Sequence, residues 1–131
     1  MTVRFAVVEI VTADMPRSLA FYRALGMELP AAADQEDHVE YALPGGLRLS
    51  WDTPDVMTSF DPDWYPSGAG HSLGLAFACD SPEEVDALYE SVTAAGFTGH
   101  LAPWDAFWGQ RYAVLRDPDL NSVDLFAQLP Q

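Results

Sequence analysis

The chain nearly repeats itself, and this limits what it can fold into more than any other feature. Residues 3–11, "VRFAVVEIV", are β-branched and apolar with period-two character, which predicts a strand. Asp14 then offers an N-cap, Pro16 sits in the first helical turn, Leu19, Tyr22 and Leu25 form an apolar face, and Gly26 stops the helix. The pattern returns from residue 72. "SLGLAFAC" predicts a strand, and Ser81-Pro82-Glu83-Glu84 has the S-x-x-E spacing of a capping box. Val85, Leu88, Tyr89 and Val92 line one helical face, and Gly96 closes it. Asp14 matches Asp80, Pro16 matches Pro82, Leu19 matches Val85, Tyr22 matches Tyr89, and Gly26 matches Gly96.

After the first helix come "HVEYALP" and "LRLSWDT", joined through Gly45-Gly46 as a hairpin. After the second come "FTGHLAP", "QRYAVLR" and "NSVDLFAQ", with "DPDLN" (117–121) as the last turn. Each half therefore reads as strand–helix–strand–strand–strand, the second strand of the first half having the weakest signal. The expected organisation is a single domain over 1–131: a first module at about 1–53, a linker at 54–70 and a second module at about 71–131. The linker, "PDVMTSFDPDWYPSGAG", is rich in Pro, Gly and Asp. Its Phe60, Trp64 and Tyr65 suggest that it packs onto something.

With 131 residues, 49% of them hydrophobic, the chain can bury a core. No apolar run approaches the roughly 20 residues of a membrane span, and Glu9 interrupts the only apolar stretch near the N-terminus, so no signal peptide is expected. A single cysteine, Cys79, cannot form an intrachain disulfide, which fits a cytoplasmic setting. Twenty acidic residues face six basic ones, all arginine, for a net charge of −14. Nucleic acid and anionic membranes would be repelled, and a cationic or weakly basic ligand favoured.

On "VEIVTADMPRSLAFYRALGMEL" and "RYAVLRDPDLNSVDLF" the chain resembles the vicinal oxygen chelate superfamily of glyoxalases, bleomycin-resistance proteins and extradiol dioxygenases. The resemblance implies an α+β fold of two βαβββ modules, whose curled mixed sheets form a concave ligand cavity. It also implies a homodimer, often with exchanged halves. Enzymes of this family hold a divalent metal on His and Glu side chains. The first-strand ligand position, seven residues before Asp14, is Val7 here, and its counterpart before Asp80 is Leu73. Neither can coordinate a metal. Asp124 occupies the last-strand carboxylate position. His71 lies two residues before Leu73, and His38 and His100 complete the histidines. No catalytic metal or other cofactor is expected. Cys79 reads as a small strand hydrophobe.

The rings then carry the reading. "PWDAFWGQRY" (103–112) sets Trp104, Phe107, Trp108 and Tyr112 in what reads as a loop and the start of a strand. In a cavity protein such rings supply a stacking wall. In the hairpin, Val39, Tyr41 and Leu43 alternate with His38, Glu40 and Ala42, and Leu47, Leu49 and Trp51 alternate with Arg48, Ser50 and Asp52. An odd-length connection would put both apolar rows on one face and turn the polar rows toward the cavity. The stretches "GGLRLSWDT", "GHLAPWDAFWGQRYAVLRDPD" and "VDLFA" resemble the drug-sequestering branch of the superfamily, in which a His and a Trp sandwich a flat drug; the matching positions are His38 and Trp108. The resemblance departs at Leu120, where that branch usually has Gly.

The expected function is therefore non-enzymatic sequestration of a planar aromatic antibiotic of the mitomycin or bleomycin type. The candidate ligand-binding residues are Glu9, His38, Arg48, Ser50, Trp104, Phe107, Trp108 and Tyr112. The alternatives are a divergent glyoxalase-like lyase or isomerase using Glu9 or Asp124, and a binder of another small metabolite.

Overall fold

The computed structural model describes residues 4–66 and 73–131. His71 lies outside them. The chain divides into two compact units, one of Met1–Ala20 and Glu28–Ser67, the other of Phe21–Met27 and Gly68–Gln131. Each carries an open mixed sheet, so the fold is α+β as expected.

The first unit begins with β1 (Val7–Val11) and enters α1 (Met15–Ala24). Asp14 caps that helix, its Oδ1 accepting from the Arg17 N–H at 3.1 Å. Met15, Ser18, Leu19 and Tyr22 are buried at helical spacing. Strands β2 (His38–Ala42) and β3 (Arg48–Asp52) follow, in the order β1-β3-β2. β1 runs parallel to β3, and β2 antiparallel. The expected second strand of this half is absent. Between Gly26 and His38 the regular element is a 3₁₀ helix over Ala31–Gln35. Pro30, at its N-cap, cannot donate to a ladder, and the alanines that follow favour helical turns.

The hairpin connection, residues 43–47, is odd in number, and Val39 pairs with Trp51 and Tyr41 with Leu49. The apolar rows therefore share a face, as the alternation predicts. Val39, Leu49, Trp51 and Ile10 are buried. The front face carries Val7, Glu9 and Val11 on β1, Arg48, Ser50 and Asp52 on β3, and Ala42, Glu40 and His38 on β2. The linker is not irregular throughout. Thr53 caps a short helix, α2 (Pro54–Phe60), and Phe60 and Tyr65 are exposed rather than packed.

The second unit holds β4 (Gly74–Ala78), α3 (Pro82–Ala94), β5 (Thr98–Asp105), β6 (Gln110–Arg116) and β7 (Ser122–Gln128). The sheet order is β4-β7-β6-β5, with β4 parallel to β7. The predicted capping box forms in shifted form. Ser81 Oγ accepts from the Glu84 N–H at 3.2 Å, but the Glu84 carboxylate reaches the N–H of Asp80, one residue earlier, at 2.7 Å. Helix α3 packs across β5, β6 and β7. Arg111 pins it with a two-pronged bond to Asp86, at 2.9 and 3.1 Å. Gly99 sits so close to α3 that a Cβ there would lie 2.0 Å from Tyr89 Oη. Val123, Leu125, Ala127, Ala113 and Leu115 form the buried back of this sheet.

Asp117 organises the last turn. Its carboxylate is buried and accepts from Tyr22 Oη at 2.7 Å, the Asp119 N–H at 2.9 Å, and the Asn121 N–H and Nδ2 at 2.8 Å each. This geometry forces Leu120 to φ 70°, a left-handed conformation that costs a side chain with a Cβ about 1–2 kcal/mol. Leu120→Gly removes that strain at some cost in unfolded-state entropy. It should raise stability by about 0.5–1 kcal/mol in a chemical denaturation experiment.

Candidate functional site

Two clusters of functional side chains stand out, one on the front of each sheet. The first grows from the β1-β3-β2 register. Val11, Asp52 and His38 lie in one row across the sheet, and Glu9, Ser50 and Glu40 in the next. The buried carboxylate of Asp52 meets His38 Nδ1. His38 Nε2 lies 2.8 Å from Glu40 Oε2, and Arg48 Nη1 lies 3.2 Å from Glu40 Oε1. Glu9, the β1 member, lies on the same face as Asp52, its register partner being Ser50 on β3. Hydrogen bonding with Asp52, then burial, then repulsion by Asp52 push the Glu9 carboxyl up to about 7, against a smaller pull from His38. The bonds to Asp52 and Glu40 raise the His38 pKa above its ordinary value.

The structure thus links Asp52, His38, Glu40 and Arg48 in one chain of contacts, with Glu9 on the same face. It treats Ser50 differently: at 1% exposure its hydroxyl is closed to solvent. Asp52 was legible only as a polar-face residue. Its role follows from the hairpin register, which sets it opposite His38.

The second cluster is the ring wall. Trp104 lies on β5 rather than in a loop, directly across from Tyr112 on β6. Their ring centroids are 5.5 Å apart. Trp108, in the connecting turn, sits 6.1 Å from Trp104 and 5.3 Å from Tyr112, edge to face with both, and Phe107 is 5.1 Å from Trp108. Tyr112 stacks on Phe126 of β7 at 6.4 Å, a ring missed by the sequence reading although it lies across the "DPDLN" turn. Trp108 Nε1 donates to Gln110 Oε1 at 2.8 Å. Trp108 is 48% exposed and Phe107 is 97% exposed, so neither is a core residue. Beside these rings the front of β4 carries only Gly74, Ala76 and Ala78, which pair with Ser122, Asp124 and Phe126. A wall of large rings thus stands next to a low floor.

Tyr112 Oη donates to Asp124, which also accepts from Ser122 Oγ at 3.1 Å. Burial first, then this bond, push the Tyr112 phenol up to about 12. The family's metal does not fit these residues. Val7 and Leu73 carry no donor, both oxygens of Asp124 accept from neighbours, and no set of three converging His, Cys, Asp or Glu ligands occurs among the described residues. A separate depression of about 450 Å³ lies beside α3, lined by Ala78, Cys79, Asp80, Glu84, Ala87, Leu88 and Ser91. Burial, then Glu84 and Asp80, raise the Cys79 thiol, which suppresses its nucleophilic form. No described helix is long and apolar enough to cross a membrane.

The described fold is two units, each with an open mixed sheet and a helix after its first strand. The chain belongs to the glyoxalase/bleomycin resistance protein/dioxygenase superfamily, whose sequence model matches residues 4–125. Its fold is that of a glyoxalase/bleomycin resistance protein/dioxygenase family enzyme from Burkholderia phytofirmans PsJN, at 23% identity and TM-score 0.82, covering 97% of this chain and 100% of that one. A glyoxalase/bleomycin resistance protein from Albidiferax ferrireducens T118 is similar at 26% identity and TM-score 0.69, covering 95% and 98%. A hypothetical protein, SA1046 from S. aureus, is similar at 18% identity and TM-score 0.77, covering 97% and 94%. No curated protein matches the sequence.

The raised Glu9 carboxyl makes stability depend on pH. A carboxyl whose pKa is higher folded than unfolded holds its proton more tightly in the folded state. Its contribution is therefore complete below the ordinary value of 4.5 and is lost as pH rises through about 7. Glu9→Gln, which mimics the protonated form, should match the parent's melting temperature at about pH 4 and exceed it at about pH 8. Parallel curves across that range would show that Glu9 shares no proton with Asp52.

Proposed function

We propose that the protein sequesters a planar aromatic antibiotic of the mitomycin or bleomycin type, without chemical turnover. The observation that carries this reading is Trp108, which is half-exposed yet held among Trp104, Phe107 and Tyr112, beside the low floor of β4. An exposed ring held by ring contacts is pre-organised to receive a flat partner, so little ordering cost falls on binding. His38 supplies a second ring surface, and Glu9 and Arg48 the polar contacts. Working in the cytoplasm, the protein would bind one drug molecule per site and keep it from its target.

Trp108→Ala should weaken binding of such a drug by about 1–3 kcal/mol, roughly 5- to 150-fold in Kd. Its melting temperature should stay near the parent's, because an exposed ring leaves no core cavity. His38→Ala should cost less, since imidazole offers a smaller face. Tryptophan quenching across a panel of planar antibiotics, with melting curves on the same variants, measures both effects. A large loss of melting temperature with unchanged affinity per folded molecule would mean that Trp108 is structural.

The drug-binding reading includes a homodimer, with cavities completed where two copies meet. Sedimentation at micromolar concentration should give twice the 14.4 kDa chain mass; a monomer alone would sink this part. One observation favours an enzyme instead. A carboxyl drawn up to about 7, as Glu9 is, is poised for proton abstraction near neutral pH. In that case Glu9→Gln would abolish conversion of a carbonyl substrate while leaving its binding intact.

A further inference from the structure

The charged chain on the front of the first sheet determines the protonation of one ring. His38 Nδ1 meets Asp52 and Nε2 meets Glu40 at 2.8 Å, so both ring nitrogens face carboxylates. An ionised carboxylate only accepts hydrogen bonds, and a neutral imidazole has a single N–H to give. Two carboxylate partners therefore call for two N–H groups, which is the imidazolium. Glu9, a third carboxyl, stands on the same face from β1, and Arg48 answers Glu40 from β3 at 3.2 Å. These four are the charged groups that face His38 from the three strands. Arg48 and the imidazolium thus stand against the two carboxylates that touch the ring, Glu40 and Asp52.

Two consequences follow. The Asp52 and Glu40 carboxylates are already committed, so this face offers no free anion to a cationic ligand, despite the acidity of the whole chain. The His38 side chain is still 49% exposed although both nitrogens are engaged, so much of what solvent meets is ring face and carbon edge. A cation presented face-on attracts the electron-rich face of an aromatic ring.

We propose that His38 is a clamped imidazolium, positioned by Asp52 and Glu40, and that it selects an uncharged planar ligand with an electron-rich ring. This rests on the planar-ligand reading above and narrows its ligand class, setting aside cationic drugs of the bleomycin type.

The test uses the full chain and two neutral probes of similar size, 2-methoxynaphthalene and 2-cyanonaphthalene. Their affinities are measured by equilibrium dialysis, and the His38 ring nitrogens are followed by proton–nitrogen NMR without ligand. Both nitrogens should be protonated at pH 7. The methoxy probe should bind about 3- to 30-fold tighter than the cyano probe. That preference should shrink toward unity as pH rises through the imidazolium titration. Glu40→Gln, at an exposed position, should lower the pH of that titration and weaken the preference; Asp52→Asn should do so more strongly, if it folds. A ring nitrogen without a proton at pH 7 in the free protein would overturn the clamp. Equal affinities for the two probes, or no binding of either, would overturn the ligand class. If both probes bind but Trp108→Ala leaves both affinities unchanged, the stacking reading fails while the clamp stands.

Discussion

Strand register is the constraint on which everything else depends. A side chain in a strand faces one side or the other by parity alone. In the first sheet the odd connection 43–47 sets Trp51 opposite Val39, and the parallel strand β1 falls into step with Ile10 beside Trp51. One slipped residue would bury His38, Glu40 and Arg48 and expose Trp51. The same parity in the second sheet puts Leu115, Leu125 and Val123 behind and Tyr112, Asp124 and Phe126 in front. Burial of the back faces therefore fixes the composition of the front faces, and the candidate site is what remains when the core has been satisfied.

Much of this was legible because it rests on local rules. The helix caps at Asp14 and Ser81, the glycines that end both helices, and the hairpin alternation each follow from a few neighbouring residues. The strand expected after Gly26 failed where Pro30 removes a ladder donor and a run of alanines turns helical. Trp104 was misread as loop because β5 carries two irregularities, between Gly99 and Leu101 and between Leu101 and Trp104, which break the period that marks a strand. Asp52 and Phe126 went unlisted as site residues although reflection about Gly45 and about Asp119 places them opposite His38 and Tyr112. Their roles depend on pairing across a turn, which no single strand reveals. The exclusion of solvent from Ser50 depends on packing and leaves no trace in the alternation.

Charge shows the same difference between the whole and the part. A net charge of −14 suggests a protein that attracts cations everywhere. Locally, two of the chain's few arginines and His38 are spent on particular carboxylates: Arg48 on Glu40 and His38 on Asp52 and Glu40 on the front of the first sheet, and Arg111 on Asp86 and Asp105 beside α3. Bulk acidity acts at long range, whereas the polarity of each sheet face is set locally by these directed pairs.

The low floor beside the ring wall belongs to β4, an edge strand of its sheet, and its residues Gly74, Ala76 and Ala78 are exposed. Because they stand on the surface and not within the hydrophobic interior, their size is decoupled from folding. A larger side chain at Ala76, an exposed position paired with Asp124, would raise the floor next to the rings. Side-chain size along this edge can therefore change by single substitutions while the buried back of the sheet, and with it the architecture, stays as it is.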